Sequence, residues 1–412
     1  MTRDTIGSGQ APGLRHTQLR HAAAVLAQVL AGQTPADAAL RELFARHRNA
    51  GRRDRAQVTT LLYGVLRDYF PLRAALGDQA SALELCAAHA LRSLNLQPAA
   101  LPALEGLDPV ALAQRLAAHA ATPLDEAARH NLPAWLWHAL LGQYGPAEAS
   151  ALALALNAQA GVDLRVNTLK ASRDEAQRVL REDGIDPEPM PGVAAGLRLR
   201  KREALQRTRA FREGLVEPQD EGSQRLALFV EAAPGETIVD FCAGGGGKAL
   251  ALGALMHNRG ELHAFDVSRA RLARLTPRLA RSGLGIVATQ VLRNERDPRL
   301  QALAGRCDAV LVDVPCSGSG TLRRNPELRL RQPDLPALGA KQLALLHAAA
   351  KLVRPGGRLV YASCSVLAVE NQGVVTRFLE SQRDFHAAGE LVLLPHRDGT
   401  DGFYAARLKR GG

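Results

Sequence analysis

Apolar residues recur at three- and four-residue spacing through Leu19–Leu30, Val58–Tyr69, Ala80–Leu94 and Val110–His119. That is the period of helices with one buried face. No alternating pattern interrupts residues 14 to about 145, so an all-α domain is expected over residues 1–145. Pro133 to Gly145 holds both tryptophans, Trp135 and Trp137, together with Tyr144, and reads as a packing cluster at a domain junction, with a base-stacking site as the alternative. The pattern then changes. Leu164–Thr168 reads as a short strand. Ser172–Asp183 reads as a helix with Ser172 as N-cap and Gly184 as its stop. A small α+β unit is expected over residues 146–230. From residue 236 strands and helices alternate. Thr237–Phe241, Glu261–Asp266, Ile286–Val291, Ala309–Asp313 and Arg358–Ala362 read as strands; helices run up to His257 and across Ser268–Ser282. Leu391–Leu394 and Phe403–Leu408 resemble a terminal antiparallel hairpin joined through Arg397-Asp398-Gly399. Such alternation predicts a parallel sheet covered on both faces over residues 231–412.

The chain has 412 residues, 46% of them hydrophobic, enough for two or three domains without staples. Aromatics make up only 4%, which leaves little material for base-stacking platforms. Net charge is +11, and a basic balance suits a polyanionic partner. Residues 1–150 carry 14 basic and 12 acidic side chains and the remainder 38 and 29, so the surplus lies mostly after residue 150. Part of it is a run of Arg198, Arg200, Lys201, Arg202, Arg207, Arg209 and Arg212, opposed only by Glu203; such a run is either a solvated face or a phosphate contact. The five cysteines, Cys86, Cys242, Cys307, Cys316 and Cys364, are odd in number and contain no Cys-x-x-Cys pair. Neither a disulfide framework nor a metal site is indicated, and free thiols imply a reducing compartment. Met1 to Gly13 lacks the apolar core of a signal peptide, and charge breaks every apolar stretch before 18 residues, so no membrane span is expected. A cytoplasmic monomer is expected.

Three segments carry candidate chemistry. Asp240-Phe241-Cys242-Ala243-Gly244-Gly245-Gly246-Gly247-Lys248 joins a strand to a helix, the arrangement that presents backbone N–H groups to a nucleotide-like ligand. It does not end as a Walker loop does. Asp266 closes the next strand, where an acid can bind both hydroxyls of a ribose. Loop and acid alone fit NAD as well as S-adenosylmethionine. The second and third segments, Asp313-Val314-Pro315-Cys316 and Tyr361-Ala362-Ser363-Cys364-Ser365, place two thiols after strands, facing the same crevice. Hydride transfer has no use for them. Methylation at C5 of a cytosine does, because C5 becomes nucleophilic once a thiolate adds at C6. Asp313 is placed to stabilise the charge that develops on the base. Cys86 and Cys307 read as buried apolar side chains, and Cys242 as a backbone contributor to the cofactor loop.

These segments resemble those of the bacterial ribosomal RNA cytosine-C5 methyltransferases of the Sun (Fmu) family, relatives of the NOL1/NOP2/Sun group. Asp313–Thr321 with Arg323-Arg324-Asn325-Pro326-Glu327 is similar to the family's Asp-Ala-Pro-Cys-Ser segment, and Tyr361–Ser365 with Glu370-Asn371 to its nucleophile segment. Leu164–Thr168, Gln219–Gln224 and Asp401–Leu408 resemble further family elements, and Tyr63-Gly64-Val65-Leu66-Arg67 resembles its NusB-like RNA-binding domain. The resemblance implies a multidomain protein: an all-α NusB-like domain, a small α+β extension, and a Rossmann-like methyltransferase domain. It implies Cys364 as nucleophile, Cys316 as the thiol that assists release, and Asp313 as the base-contacting acid. Cys242, Ala243, Gly244, Gly245, Gly246, Gly247, Lys248, Asp266, Asn294 and Asp313 are implied as the S-adenosylmethionine site, with no metal, and RNA of the small ribosomal subunit as partner. Two departures stand out. The family loop reads Cys-Ala-Ala-Pro-Gly-Gly-Lys where this chain has glycine at 244 and 245, and Asn294, beside Glu295, stands where the family has an acid. They motivate a competing reading, a non-catalytic RNA-binding or ribosome-assembly factor. The same chemistry on transfer RNA is a third.

Overall fold

The computed structural model describes residues 14–32, 34–201 and 203–412. Met1–Gly13, expected to be a polar start, and Arg202 of the basic run lie outside the described residues. The chain forms two compact units: residues up to Asn157 together with Asn325–Gln332, and Ala158–Arg324 together with Pro333–Gly412.

The first unit is helical, as its periodicity requires. His16–Leu30, Arg52–Arg67 and Ala82–Arg92 bury Leu19, Leu26, Leu61, Leu62, Leu66 and Leu85 in one core. A Cβ on Gly64 would stand 2.1 Å from His89 Nε2, so only glycine lets these helices approach so closely. The expected junction at Pro133–Gly145 is instead a helix, Ala134–Tyr144, of this unit. Trp137 is buried in it, and Trp135 Nε1 donates to Arg331 O at 3.2 Å. The division therefore falls at Asn157 rather than at residue 145, because Pro146–Asn157 follows Gly145 at once and packs on Ala134–Tyr144. The buried Arg329 donates to Asn131 O and Asn157 Oδ1, which secures Asn325–Gln332 within this unit.

The second unit holds two sheets. In the smaller, β1 (Val162–Val166), β2 (Pro187–Pro189), β3 (Gly196–Leu199) and β4 (Val216–Pro218) lie antiparallel in the order β2-β3-β1-β4. The helix Arg173–Glu182 packs beneath them, with the expected Ser172 cap and Gly184 at φ 82°. No division falls at the expected boundary of 230: this sheet and the larger one belong to one unit. The arginine run is also less bare than its sequence suggests. Arg198 pairs with Asp163 and Glu221, Arg200 with Glu188, and Arg209 with Glu182, acids distant in sequence.

The larger sheet comprises β5 (Thr237–Asp240), β6 (Glu261–Asp266), β7 (Val287–Val291), β8 (Cys307–Asp313), β9 (Val353–Ser363), β10 (Phe385–Leu393) and β11 (Phe403–Arg410), in the order β10-β11-β9-β8-β5-β6-β7. Strands β5 to β9 are parallel, and β11 lies antiparallel between β9 and β10. Alternate residues of β8 serve the two cores: Val310 and Val312 one face, Ala309 and Leu311 the other. This two-sided burial is the signature of a covered parallel sheet. The expected helix Ser268–Ser282 breaks into Arg269–Leu272 and Leu275–Ser282. Pro277 has no N–H to give the Ala273 carbonyl and crowds it. The C-terminal ends of β5, β6, β8 and β9 deliver Asp240, Asp266, Asp313 and Cys364 to one edge.

Candidate active site

The glycine loop turns from β5 into the helix Gly247–Leu255. Gly244 and Gly246 have φ of 56° and 78°, a region that side chains disfavour. A Cβ on Gly246 would stand 2.3 Å from Leu275 Cδ1, whereas nothing lies within 4 Å of one on Gly244. Arg278 holds the loop from outside: its Nη1 donates to Gly245 O and its Nε to Glu217 Oε1 at 2.8 Å. Gln219 Nε2 donates to Gly247 O at 3.3 Å, so the small sheet, through β4 and the residue after it, buttresses the loop.

A cavity of about 550 Å³ opens beside the loop. Cys242, Ala243, Gly244, Gly245, Asp266, Asn294, Asp313, Cys316 and Cys364 line it, with Val267, Leu292 and Pro315 as apolar wall. Asp266 is buried and fixed: it accepts from Gly244 N at 2.9 Å and Ser268 N at 2.7 Å, with Arg271 Nη2 at 3.0 Å. Asn294 Oδ1 accepts from Arg296 N at 2.8 Å, which leaves its amide nitrogen to a ligand. The neighbouring Glu295 pairs with Lys341 Nζ at 2.6 Å. A nucleoside fits this donor set: open space over Gly244, a strand-end acid for ribose hydroxyls and an apolar wall for a base.

Three residues assigned from sequence to the cofactor loop sit elsewhere. Gly246 packs on Leu275, and Gly247 and Lys248 face a second cavity of about 290 Å³ that shares Cys242, Ala243 and Asp313 with the first. There Lys248 Nζ donates to Asp313 Oδ2 at 2.6 Å and lies 5.7 Å from the Phe403 ring. Burial alone would lower the Lys248 pKa, but Asp313 and Asp240 overcome it and keep the ammonium charged. Asp240 is buried behind the pair, and its pKa is raised to about 7, chiefly by burial. Sequence reasoning missed Asp240 as a titrating group. The available signal was a strand-end acid directly before a glycine loop.

The two thiols meet. Cys316 Sγ and Cys364 Sγ are 3.2 Å apart. Gly320 N donates to Cys364 O at 3.0 Å, and Gly402 N to Gly320 O at 2.8 Å, so the cysteine loops and the start of β11 are stitched through backbone. Arg324 adds a charged tie: its guanidinium reaches Asp401 Oδ2 at 2.6 Å, Asp220 Oδ1 at 2.7 Å and Gly161 O at 2.9 Å. Burial pushes the Cys242 and Cys86 thiols far up and Cys307 to about 12, which suits their inert roles. Glu370 is fully buried and bridges the two cysteine loops through Ser317 and Ser365.

A mostly parallel sheet with one antiparallel strand near its edge, a glycine loop and a strand-end acid beside a nucleoside-sized cavity define an S-adenosylmethionine-dependent methyltransferase. Comparison with known proteins agrees. Residues 227–409 match the family described as 16S rRNA methyltransferase RsmB/F, and residues 132–206 match the ferredoxin-like domain of RsmF/B-like methyltransferases. A probable ribosomal RNA small subunit methyltransferase B of Synechocystis is 35% identical over 302 residues, 68% of this chain and 67% of that one. Among solved structures, PH0851 superposes with a TM-score of 0.79 at 26% identity, covering 97% of this chain and all of that one. A methyltransferase homologue from Pyrococcus horikoshii gives 0.61 at 26% identity, covering 70% and 98%. The chain belongs to the RsmB/F methyltransferase family.

Proposed function

We propose that this protein methylates C5 of a cytosine in RNA, the small-subunit ribosomal RNA, through a covalent bond between Cys364 Sγ and C6 of the base. The observation that carries this is the pair of thiols, 3.2 Å apart, opening on the same cavity as the glycine loop. The Cys364 thiol gives its proton to solvent and its thiolate adds to C6: the S–C6 bond forms, and the C5=C6 electron pair moves to C5. The Lys248–Asp313 pair, at the wall shared by the two cavities, faces the base and neutralises the charge that builds at N3. S-adenosylmethionine, which Gly244, Gly245, Asp266 and Asn294 would hold, would supply its methyl group as an electrophile to the C5 electron pair and leave as S-adenosylhomocysteine. The C5–H electron pair then restores C5=C6, and the S–C6 pair returns to Cys364. Cys316 protonates the departing sulfur, and the C5 proton passes to Cys316, regenerating its thiol.

RNA as substrate is supported by the names of the relatives, by the +11 net charge and by the exposed Arg207 and Arg212. The N-terminal helices serve as a NusB-like RNA-binding unit in this reading. Transfer of labelled methyl to 16S ribosomal RNA tests it: wild type transfers and Cys364→Ser does not. Undiminished transfer by Cys364→Ser sinks the mechanism, and labelling of transfer RNA instead redirects the substrate.

A further inference from the structure

The two thiols are nearly in contact, yet the reaction above needs them to behave differently. The groups around them are unequal. A negative charge on Cys364 is among the causes that raise the Lys248 pKa, after Asp313 and Asp240. Cys316 is bracketed by Glu370. Glu370 Oε1 accepts from Ser317 N at 2.8 Å, directly after Cys316, and from Gln342 Nε2 at 3.1 Å; the same Gln342 amide donates to Pro315 O at 3.1 Å, directly before Cys316. Glu370 Oε2 accepts from Ser317 Oγ at 2.5 Å and from Ser365 Oγ at 2.6 Å, directly after Cys364. One buried carboxylate therefore fixes both cysteine loops, and among the described residues it has no cationic partner within ion-pair distance.

We propose that Glu370 is a positioning residue that divides the work between the thiols, keeping Cys316 protonated while Cys364 attacks. This rests on the reading that Cys364 is the nucleophile and Cys316 the releasing group. The Glu370 side chain takes four hydrogen bonds, all from neutral donors and two of them from Ser317 next to Cys316, and a negative charge beside a thiol disfavours a second one. The other groups facing Cys316 are Cys364, Tyr361 on β9 and the Gly318 N–H, with Lys341 lining the same cavity but paired to Glu295. The hydrogen bond to Cys364, burial and the Glu370 charge raise the Cys316 pKa, against a smaller pull from Gly318 N–H. Asn371 supports the carboxylate's seat: its Nδ2 donates to Ser365 O at 2.9 Å and its Oδ1 accepts from Ser363 Oγ at 2.5 Å.

The test follows iodoacetamide alkylation of Cys316 against pH by peptide mass spectrometry, in full-length Cys364→Ser protein with Glu370 intact or as Glu370→Gln. It needs neither RNA nor activity, so it fails or succeeds independently of the proposed reaction. Glu370→Gln is expected to move the Cys316 profile down by about one unit, roughly tenfold faster alkylation at pH 8. In a Cys316→Ala background the same substitution leaves the Cys364 profile in place. Coincident Cys316 profiles overturn the proposal, and so do equal shifts of both thiols, the mark of general loosening. Should Glu370→Gln not fold, the Cys364→Ser parent decides: its Cys316 alkylation rate must still rise at pH 9, and a plateau below pH 8 overturns the proposal.

Discussion

Replacing Gly246 by alanine probes the geometry on which the cofactor loop depends. The residue sits at φ 78°, and its Cβ would stand 2.3 Å from Leu275 Cδ1 and 2.8 Å from both Cδ2 and Cγ. Left-handed backbone costs an L-residue about 1–2 kcal/mol. Leu275 is fully buried, so it cannot swing aside, and forcing a methyl group into such packing costs about 1–3 kcal/mol. The expected loss is about 2–5 kcal/mol in all. Part of it is relieved if the loop shifts, and then the loss moves to cofactor affinity. Urea unfolding of both proteins, with calorimetry of S-adenosylmethionine binding on the folded fraction, reads both terms. A variant within about 0.5 kcal/mol of wild type that binds cofactor equally well refutes the conformation assigned to the loop.

Gly245 has the opposite expectation. Its φ is not positive, its N–H donates to no acceptor among the described residues, and a Cβ there meets only Arg278 Nη1, at 3.4 Å. Gly245→Pro, the family's residue, should stabilise the protein by about 0.4–1 kcal/mol through the unfolded state; a fall in unfolding midpoint contradicts this. Asp240 sets a pH dependence. Its folded pKa is raised from 3.8 to about 7 by burial. Its contribution is therefore fully present below about pH 4 and is lost as pH rises through 7. Wild type should lose stability against Asp240→Asn between about pH 4 and pH 7, by at most about 4 kcal/mol. Parallel melting-temperature curves for the two proteins would rule this out.

Much of the fold was legible because its signals are local. Helical periodicity marked the first unit, and apolar strands before a glycine loop and before two thiols marked the second. The boundary expected at residue 145 shows the limit. Gly145 ends one helix, as its type suggests, but whether the next helix packs back is a tertiary matter. Pro277 was a visible break in Ser268–Ser282, overridden by the regular spacing around it. The candidate site was legible as residue types on strand ends. Its pairings were not. Lys248 was assigned to the cofactor by its place in the loop, whereas helix geometry turns it toward Asp313. Glu370 lies five residues past Ser365 and 53 past Ser317, and only the fold brings these together.

In the proposed reaction Cys364 bonds to the base and Cys316 releases it. Incubating Cys316→Ala with 16S ribosomal RNA and S-adenosylmethionine, digesting, and sequencing the cross-linked peptide by mass spectrometry tests it most directly. The expected product is a methylated cytosine attached to the peptide that contains Cys364. No cross-link, with active wild type alongside, or a nucleotide attached elsewhere, contradicts it.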